Sequence, residues 1–170
     1  MTDQLTNGPL TGRTALVTGS TTGLGKAMAM SLAAAGARVA MNYANNTARA
    51  EQAFDAFEQA GHIGTLVRGS VIDERDVASI FRQTEAELGP VDIVVVNATP
   101  DQPQRPIEAY DWAFYQEMLD FFVKSPYLLT RRALPHMKEQ RWGRIINIGS
   151  EVLKRGIGNF SAYVAAKGAQ

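Results

Sequence analysis

The chain has 170 residues, enough for one domain with a sizeable core and too few for two comfortable ones. Seventeen basic residues balance seventeen acidic ones, so the formal net charge of zero offers nothing to a polyanion and disfavours nucleic-acid binding. Cysteine is absent, which removes disulfides, thiolate catalysis and cysteine-type zinc sites together.

Residues 1–12 are polar and lack the cationic-then-apolar order of a secretory signal; they read as an N-terminal extension to a domain over 13–170. Residues 14–17 form a short apolar run that ends in a glycine-rich turn, and 26–35 continue as an alanine-rich helix with Leu24, Met28, Leu32 and Ala35 on one face. Residues 38–42 read as a second strand and 47–60 as a helix with Ala50, Phe54 and Phe57 inward. Residues 63–68 read as a third strand. Asp73 is placed to cap a helix running to Leu88, in which Val77, Ile80, Phe81, Thr84 and Leu88 make one stripe. Gly89 and Pro90 end it, and 91–96 read as a central strand covered on both faces. Three spaced prolines, Pro100, Pro103 and Pro106, lead into a long helical pattern over 108–139, and 143–148 make the fifth strand. Alternating strands and helices with short connections predict an α/β fold with a parallel sheet and right-handed crossovers. The longest apolar run, 93–96, is far too short to span a bilayer, so a soluble, cytoplasmic protein is expected, without a membrane partner.

Two stretches carry chemistry. Between the first strand and helix, Gly19-x-x-x-Gly23-x-Gly25 would let backbone approach a pyrophosphate, and the helix N-terminus behind it offers free N–H groups and a positive dipole end. Near the other end, Tyr163 and Lys167 lie four residues apart, on one helical face. A cation there would favour phenolate and bring a tyrosine proton within reach of neutral pH. Asn97 and Ser150 follow strands that end on the edge of the sheet where ligands of such folds bind. From the residues alone, an ordinary helix surface for Tyr163 and Lys167 and strand-end capping for Asn97 and Ser150 stay open. His62 and His136 show no metal-ligand spacing and read as ordinary histidines; Arg141 and Trp142 read as surface.

Taken together, these motifs resemble the short-chain dehydrogenase/reductase family, close to its 3-oxoacyl-carrier-protein reductases, from about Arg13 to Gln170. The resemblance implies a Rossmann-type doubly wound sheet in order 3-2-1-4-5, with the family's last two strands lying outside this sequence. It implies hydride transfer between a nicotinamide cofactor and a carbonyl or secondary alcohol. Tyr163 would be the general acid/base, Ser150 would hydrogen-bond the reacting oxygen, and Lys167 would lower the Tyr163 pKa and bind the nicotinamide ribose. Gly19, Ser20, Thr21, Thr22, Gly23, Leu24 and Gly25 would form the cofactor turn. Tyr43, Ser70, Val71, Asn97 and Ala98 would border the adenosine half. A homo-oligomer through the long helix, residues 114–134, is implied as well.

Three departures qualify the resemblance. Val96 and Thr99 replace the outer members of the family's Asn-Asn-Ala-Gly, and Ser70 stands where an acid usually meets the adenine. No acid follows the second strand, which leans towards NADP over NAD, although no Arg or Lys stands at Thr22 or just after Tyr43 to meet a 2′-phosphate. The family's asparagine in the long helix aligns with Phe122, four residues before Pro126. Proline lacks an N–H for the Phe122 carbonyl and clashes with it, so two outcomes are expected: a freed carbonyl that takes over a relay water, or a plain kink. The alternative to an enzyme is a shortened, non-catalytic nucleotide-binding or interaction module with an exposed fifth strand.

Overall fold

The computed structural model describes residues 8–170. Its centre is a five-stranded parallel sheet in order β3-β2-β1-β4-β5, as the resemblance implied. The strands are β1 (Thr14–Val17), β2 (Arg38–Tyr43), β3 (Gly64–Arg68), β4 (Ile93–Val96) and β5 (Arg144–Asn147). Between them lie α1 (Gly23–Ala34), α2 (Thr47–Gln59), α3 (Glu74–Leu88), α4 (Trp112–Leu119) and α5 (Ser125–Glu139); α6 (Val152–Arg155) and α7 (Ser161–Ala169) follow β5.

Alternation along each strand divides the core in two. Ala15, Val17, Val39, Met41, Ile93 and Val95 face α1 and α2, where they meet Ala29, Ala33, Ala53 and Phe57. Leu16, Ala40, Val67, Val94 and Val96 face α3 and α5, where Ile80, Phe81, Leu128 and Leu129 close over them. Full burial of β1 and β4 explains their unbroken apolar character; each completely buried large side chain contributes roughly 1.5–3 kcal/mol.

The expected stripe of α3 is found residue for residue, and Asp73 caps it by accepting the N–H groups of Arg75 and Asp76 at 2.8 and 3.0 Å. For α1 the inner face differs from expectation. Gly25, Ala29 and Ala33 are buried, whereas Leu24 is 59% exposed. Small residues let this helix lie close on the sheet, which pushes the larger Met28 and Leu32 to its flanks. In α2, Ala53 takes the inward place expected of Phe54.

The long helix also starts later than predicted. Residues 107–109 form a separate 3-10 turn, and α4 begins at Trp112, capped by Asp111. It continues into α5 through a π turn, Asp120–Lys124, where the Ser125 N–H donates to the Asp120 carbonyl five residues back. Pro126 explains the wider turn: it gives no N–H, and its ring needs room beside the preceding turn.

Asp92 was hidden in what reads as an apolar strand. It is 6% exposed and accepts the Thr14 N–H (3.0 Å), Arg13 Nη1 (3.3 Å) and the His136 ring nitrogen Nε2 (3.3 Å). His136 therefore has a carboxylate partner after all, one that sequence spacing could not show. Trp142 is half-buried, with the guanidinium groups of Arg13 and Arg144 over its ring at 3.9 and 4.9 Å, so it belongs to this edge of the core more than to the surface. Residues 1–7 of the expected extension fall outside the described residues. Residues 8–12 turn beneath the end of α1, with the Leu10 N–H donating to the Ala35 carbonyl at 2.9 Å. Among the described residues no helix is long and apolar enough to cross a membrane.

Candidate active site

A cleft of about 1400 Å³ opens along the carboxyl ends of the strands. Its first half is the turn after β1. Gly19 and Gly23 have φ of 60° and 50°, a region costly for other residues, and a Cβ on Gly23 would point into open space. A Cβ on Gly25 would run into the Gly19 carbonyl and the Asn97 amide. No side chain caps the start of α1, so its first N–H groups remain available to a ligand.

The turn is held from behind by polar groups. The Thr18 hydroxyl accepts the N–H groups of Asn97 (2.9 Å) and Ala98 (3.0 Å) and donates to the Val95 carbonyl (3.2 Å), which uses its whole hydrogen-bonding capacity. Asn97 Nδ2 donates to the carbonyls of Thr18 (2.9 Å) and Gly19 (3.1 Å). Asn42, 2% exposed, donates to the carbonyls of Val67 and Gly69, and its Oδ1 accepts the Gly19 N–H at 3.4 Å. Sequence reading placed Thr18 at the head of the glycine motif but assigned no role to it or to Asn42; their only further signal was a polar residue at the buried end of an apolar strand.

Of the predicted cofactor residues, Gly19, Thr21, Thr22, Gly23, Leu24 and Gly25 line this half, and Tyr43, Ser70, Val71, Asn97 and Ala98 line it beyond the turn. Ser20 does not: it is fully buried beneath the turn and its hydroxyl has no partner. Asp76, reaching up from α3, accepts the Ser70 N–H at 2.8 Å. Arg49, in the first turn of α2, also lines the cleft; it lies six residues beyond Tyr43 and was not foreseen.

At the other end the cleft is walled by Phe114, Phe121, Phe122, Tyr163, Lys167 and Gln170. Tyr163 and Lys167 share one face of α7, with Lys167 Nζ 5.9 Å from the Tyr163 ring centre. What the π turn presents to this pair is the Phe122 ring, set edge-on to Tyr163 at 5.2 Å. Lys167 Nζ donates to the Ile148 carbonyl (2.5 Å) and to Gln170 Oε1 (2.8 Å). Burial pushes its pKa down from 10.5 to about 8. Ser150 lies beside this wall without lining the cleft, its hydroxyl accepting the Val152 N–H at 3.4 Å.

The outer rim is a knot of two loops. The Tyr110 hydroxyl accepts the Arg105 N–H (3.0 Å) and points its proton at the carbonyls of Pro103 (2.6 Å) and Asn159 (3.1 Å). The Tyr115 and Ser161 hydroxyls share a hydrogen bond of 2.6 Å.

A family model described as short chain dehydrogenase matches residues 13–170. The chain belongs to the short-chain dehydrogenase family. Among its curated relatives, this short-chain dehydrogenase is 34% identical over 157 residues to a 2-dehydro-3-deoxy-D-gluconate 5-dehydrogenase of Formosa agariphila. That match covers 92% of this chain and 59% of the relative. It is 31% identical to a 3-oxoacyl-(acyl-carrier-protein) reductase of Staphylococcus aureus, covering 91% of this chain and 63% of the relative. Among solved structures, a putative gluconate dehydrogenase from Agrobacterium tumefaciens superposes with a TM-score of 0.87 at 36% identity, over 94% of this chain and 62% of that one. The chain thus spans about three-fifths of the length of the relatives it matches. The family uses NAD(P) cofactors, and the open glycine cradle with its uncapped helix start fits such a dinucleotide.

Proposed function

We propose that the protein transfers a hydride between a nicotinamide dinucleotide and a carbonyl or secondary alcohol, in the manner of 3-oxoacyl-thioester reductases. The observation that carries this reading is convergence: the glycine cradle and the Tyr163–Lys167 pair line one continuous cleft.

Gly19, Gly23, Gly25 and the first N–H groups of α1 hold the pyrophosphate, while Tyr43, Ser70, Val71, Asn97 and Ala98 border the adenosine. The dinucleotide, when bound, supplies or accepts the hydride. Tyr163 gives the proton to the carbonyl oxygen in reduction and takes it from the alcohol in oxidation. The Lys167 ammonium lies on the same helical face, 5.9 Å from the Tyr163 ring centre, and Ser150 is assigned the hydrogen bond to the substrate oxygen.

Arg49 supports a preference for NADP. It brings a cation to the cleft near Tyr43, where no acid stands to bind a free ribose 2′-hydroxyl. Arg49→Gln is expected to weaken NADPH binding about tenfold and leave NADH unaffected, read by fluorescence titration with both cofactors; equal losses for both would remove the assignment.

One observation favours a second substrate class. Arg105 lines the cleft and, among the described residues, its guanidinium has no ion pair, although Asp101 and Glu117 border the same space. The names of several relatives specify carboxylate-bearing substrates, among them cis-4-hydroxycyclohexanecarboxylate and 2-dehydro-3-deoxy-L-rhamnonate. A hydroxy or oxo acid anchored by Arg105 fits that chemistry. Reduced-nicotinamide absorbance with acetoacetyl thioesters, simple ketones and sugar-acid ketones tests both classes. NADPH binding without turnover of any of them would favour a non-catalytic nucleotide-binding module.

A further inference from the structure

Lys167 is an ammonium in an unusual setting. It is 7% exposed, and among the described residues no carboxylate pairs with it. A buried, unpaired charge is costly unless other groups replace the lost water. An ammonium has three N–H donors, and two are satisfied here, by the Ile148 carbonyl at the end of β5 and by Gln170 Oε1 from its own helix. On its remaining side lies the face of Phe122, whose ring centre is 4.1 Å from Nζ. That separation is well inside the range in which the negative face of a benzene ring attracts a cation, and the attraction grows when both are dry. The ring is itself 3% exposed, fixed among Met118, Ala162 and Ala166, and its edge contact with Tyr163 ties both residues to one aromatic platform. The π turn that Pro126 imposes is the segment from which this ring projects.

We propose that Phe122 is a positioning residue for Lys167: its ring face is the third partner of the ammonium and holds it beside Tyr163 where no carboxylate does so. The consequence for proton transfer rests on the reading of Tyr163 and Lys167 as the reacting pair, but the seating itself does not.

The test uses the 170-residue protein with 13C,15N-labelled lysine, the Lys167 Cε resonance being assigned by its loss in Lys167→Arg. In the parent protein that resonance is expected to be displaced upfield by the ring, and in Phe122→Leu the displacement disappears. Because Phe122→Leu is a core change that could unfold the site, a second series replaces Phe122 with mono-, di- and trifluorophenylalanine, which keep the ring's shape while draining its negative face. Each fluorine is expected to lower the Lys167 pKa, by about one pH unit over the whole series, a tenfold loss in preference for the charged form. A flat series, or an upfield shift that survives in Phe122→Leu, overturns the proposal. A stepwise series in a protein that turns over no carbonyl substrate overturns the proposed function alone; turnover with a flat series overturns the seating alone.

Discussion

The two ends of the cleft are built from different materials. The glycine turn is fixed by short polar side chains, with Thr18, Asn42 and Asn97 tying backbone to backbone across the ends of four strands. The Tyr163 end is fixed by rings, with Phe122 and Phe160 each against Tyr163 and one buried ammonium over the Phe122 ring. Hydrogen bonds specify a backbone shape to tenths of an ångström, as a phosphate cradle requires. Aromatic packing gives up some of that directionality and instead keeps water away from a charge whose proton affinity matters.

If the two ends are separate devices, changes at each should have separate consequences. The largest expected effect is on chemistry: Tyr163→Phe should lower kcat by about 100- to 10,000-fold while cofactor affinity, measured by titration, stays within about twofold of the parent. A parallel loss of affinity would merge the two ends into one unit. Next, Thr18→Val keeps the side-chain shape but strands the N–H groups of Asn97 and Ala98. It should cost about 1–3 kcal/mol in urea denaturation and weaken cofactor binding, with the Lys167 titration unchanged. Gly25→Ala, whose Cβ meets the Gly19 carbonyl, should weaken cofactor binding about tenfold or more.

A separate effect concerns pH. The native Lys167 pKa of about 8 lies below the 10.5 of an exposed lysine, so between those values the unfolded chain holds a proton that the native chain has released. Native stability from this residue is therefore lowest below about pH 8 and is regained as pH rises towards 10.5. The melting temperature of the parent should rise relative to Lys167→Met across that window; parallel curves would place the ammonium in water.

Much of the fold was legible because its signals are local and redundant. The α3 stripe keeps its period over three turns, from Val77 to Leu88, between a good cap and a glycine stop. The glycine turn was legible from its spacing between strand and helix, although part of what Gly19 and Gly25 answer, the crowding by Ala98 and Asn97, comes from the end of β4. The losses came where partners are distant in sequence. Asp92 looks like an interruption in a strand until Arg13 and His136 arrive from 79 and 44 residues away. The inner face of α1 was misjudged because hydrophobicity favours Leu24 and Leu32, whereas the closeness of the sheet favours Gly25, Ala29 and Ala33. Arg49 was missed because a search just after Tyr43 ignores that the first turn of α2 folds back towards the strand ends. Phe122 read as a departure from pattern, and only the position of Lys167 shows what the ring touches.

The Tyr110 hydroxyl links residues 103–105 to Asn159, more than fifty positions later, beside a direct backbone bond from the Arg105 N–H to the Asn159 carbonyl at 2.8 Å. Two stretches of rim are thereby pinned together as a single plate. Any ligand wide enough to part them must lift both at once, and in Tyr110→Phe the Arg105–Asn159 backbone bond would be left to hold the two sides without the shared hydroxyl. The width of molecule admitted to the cleft is then governed in part by a residue that need never touch it.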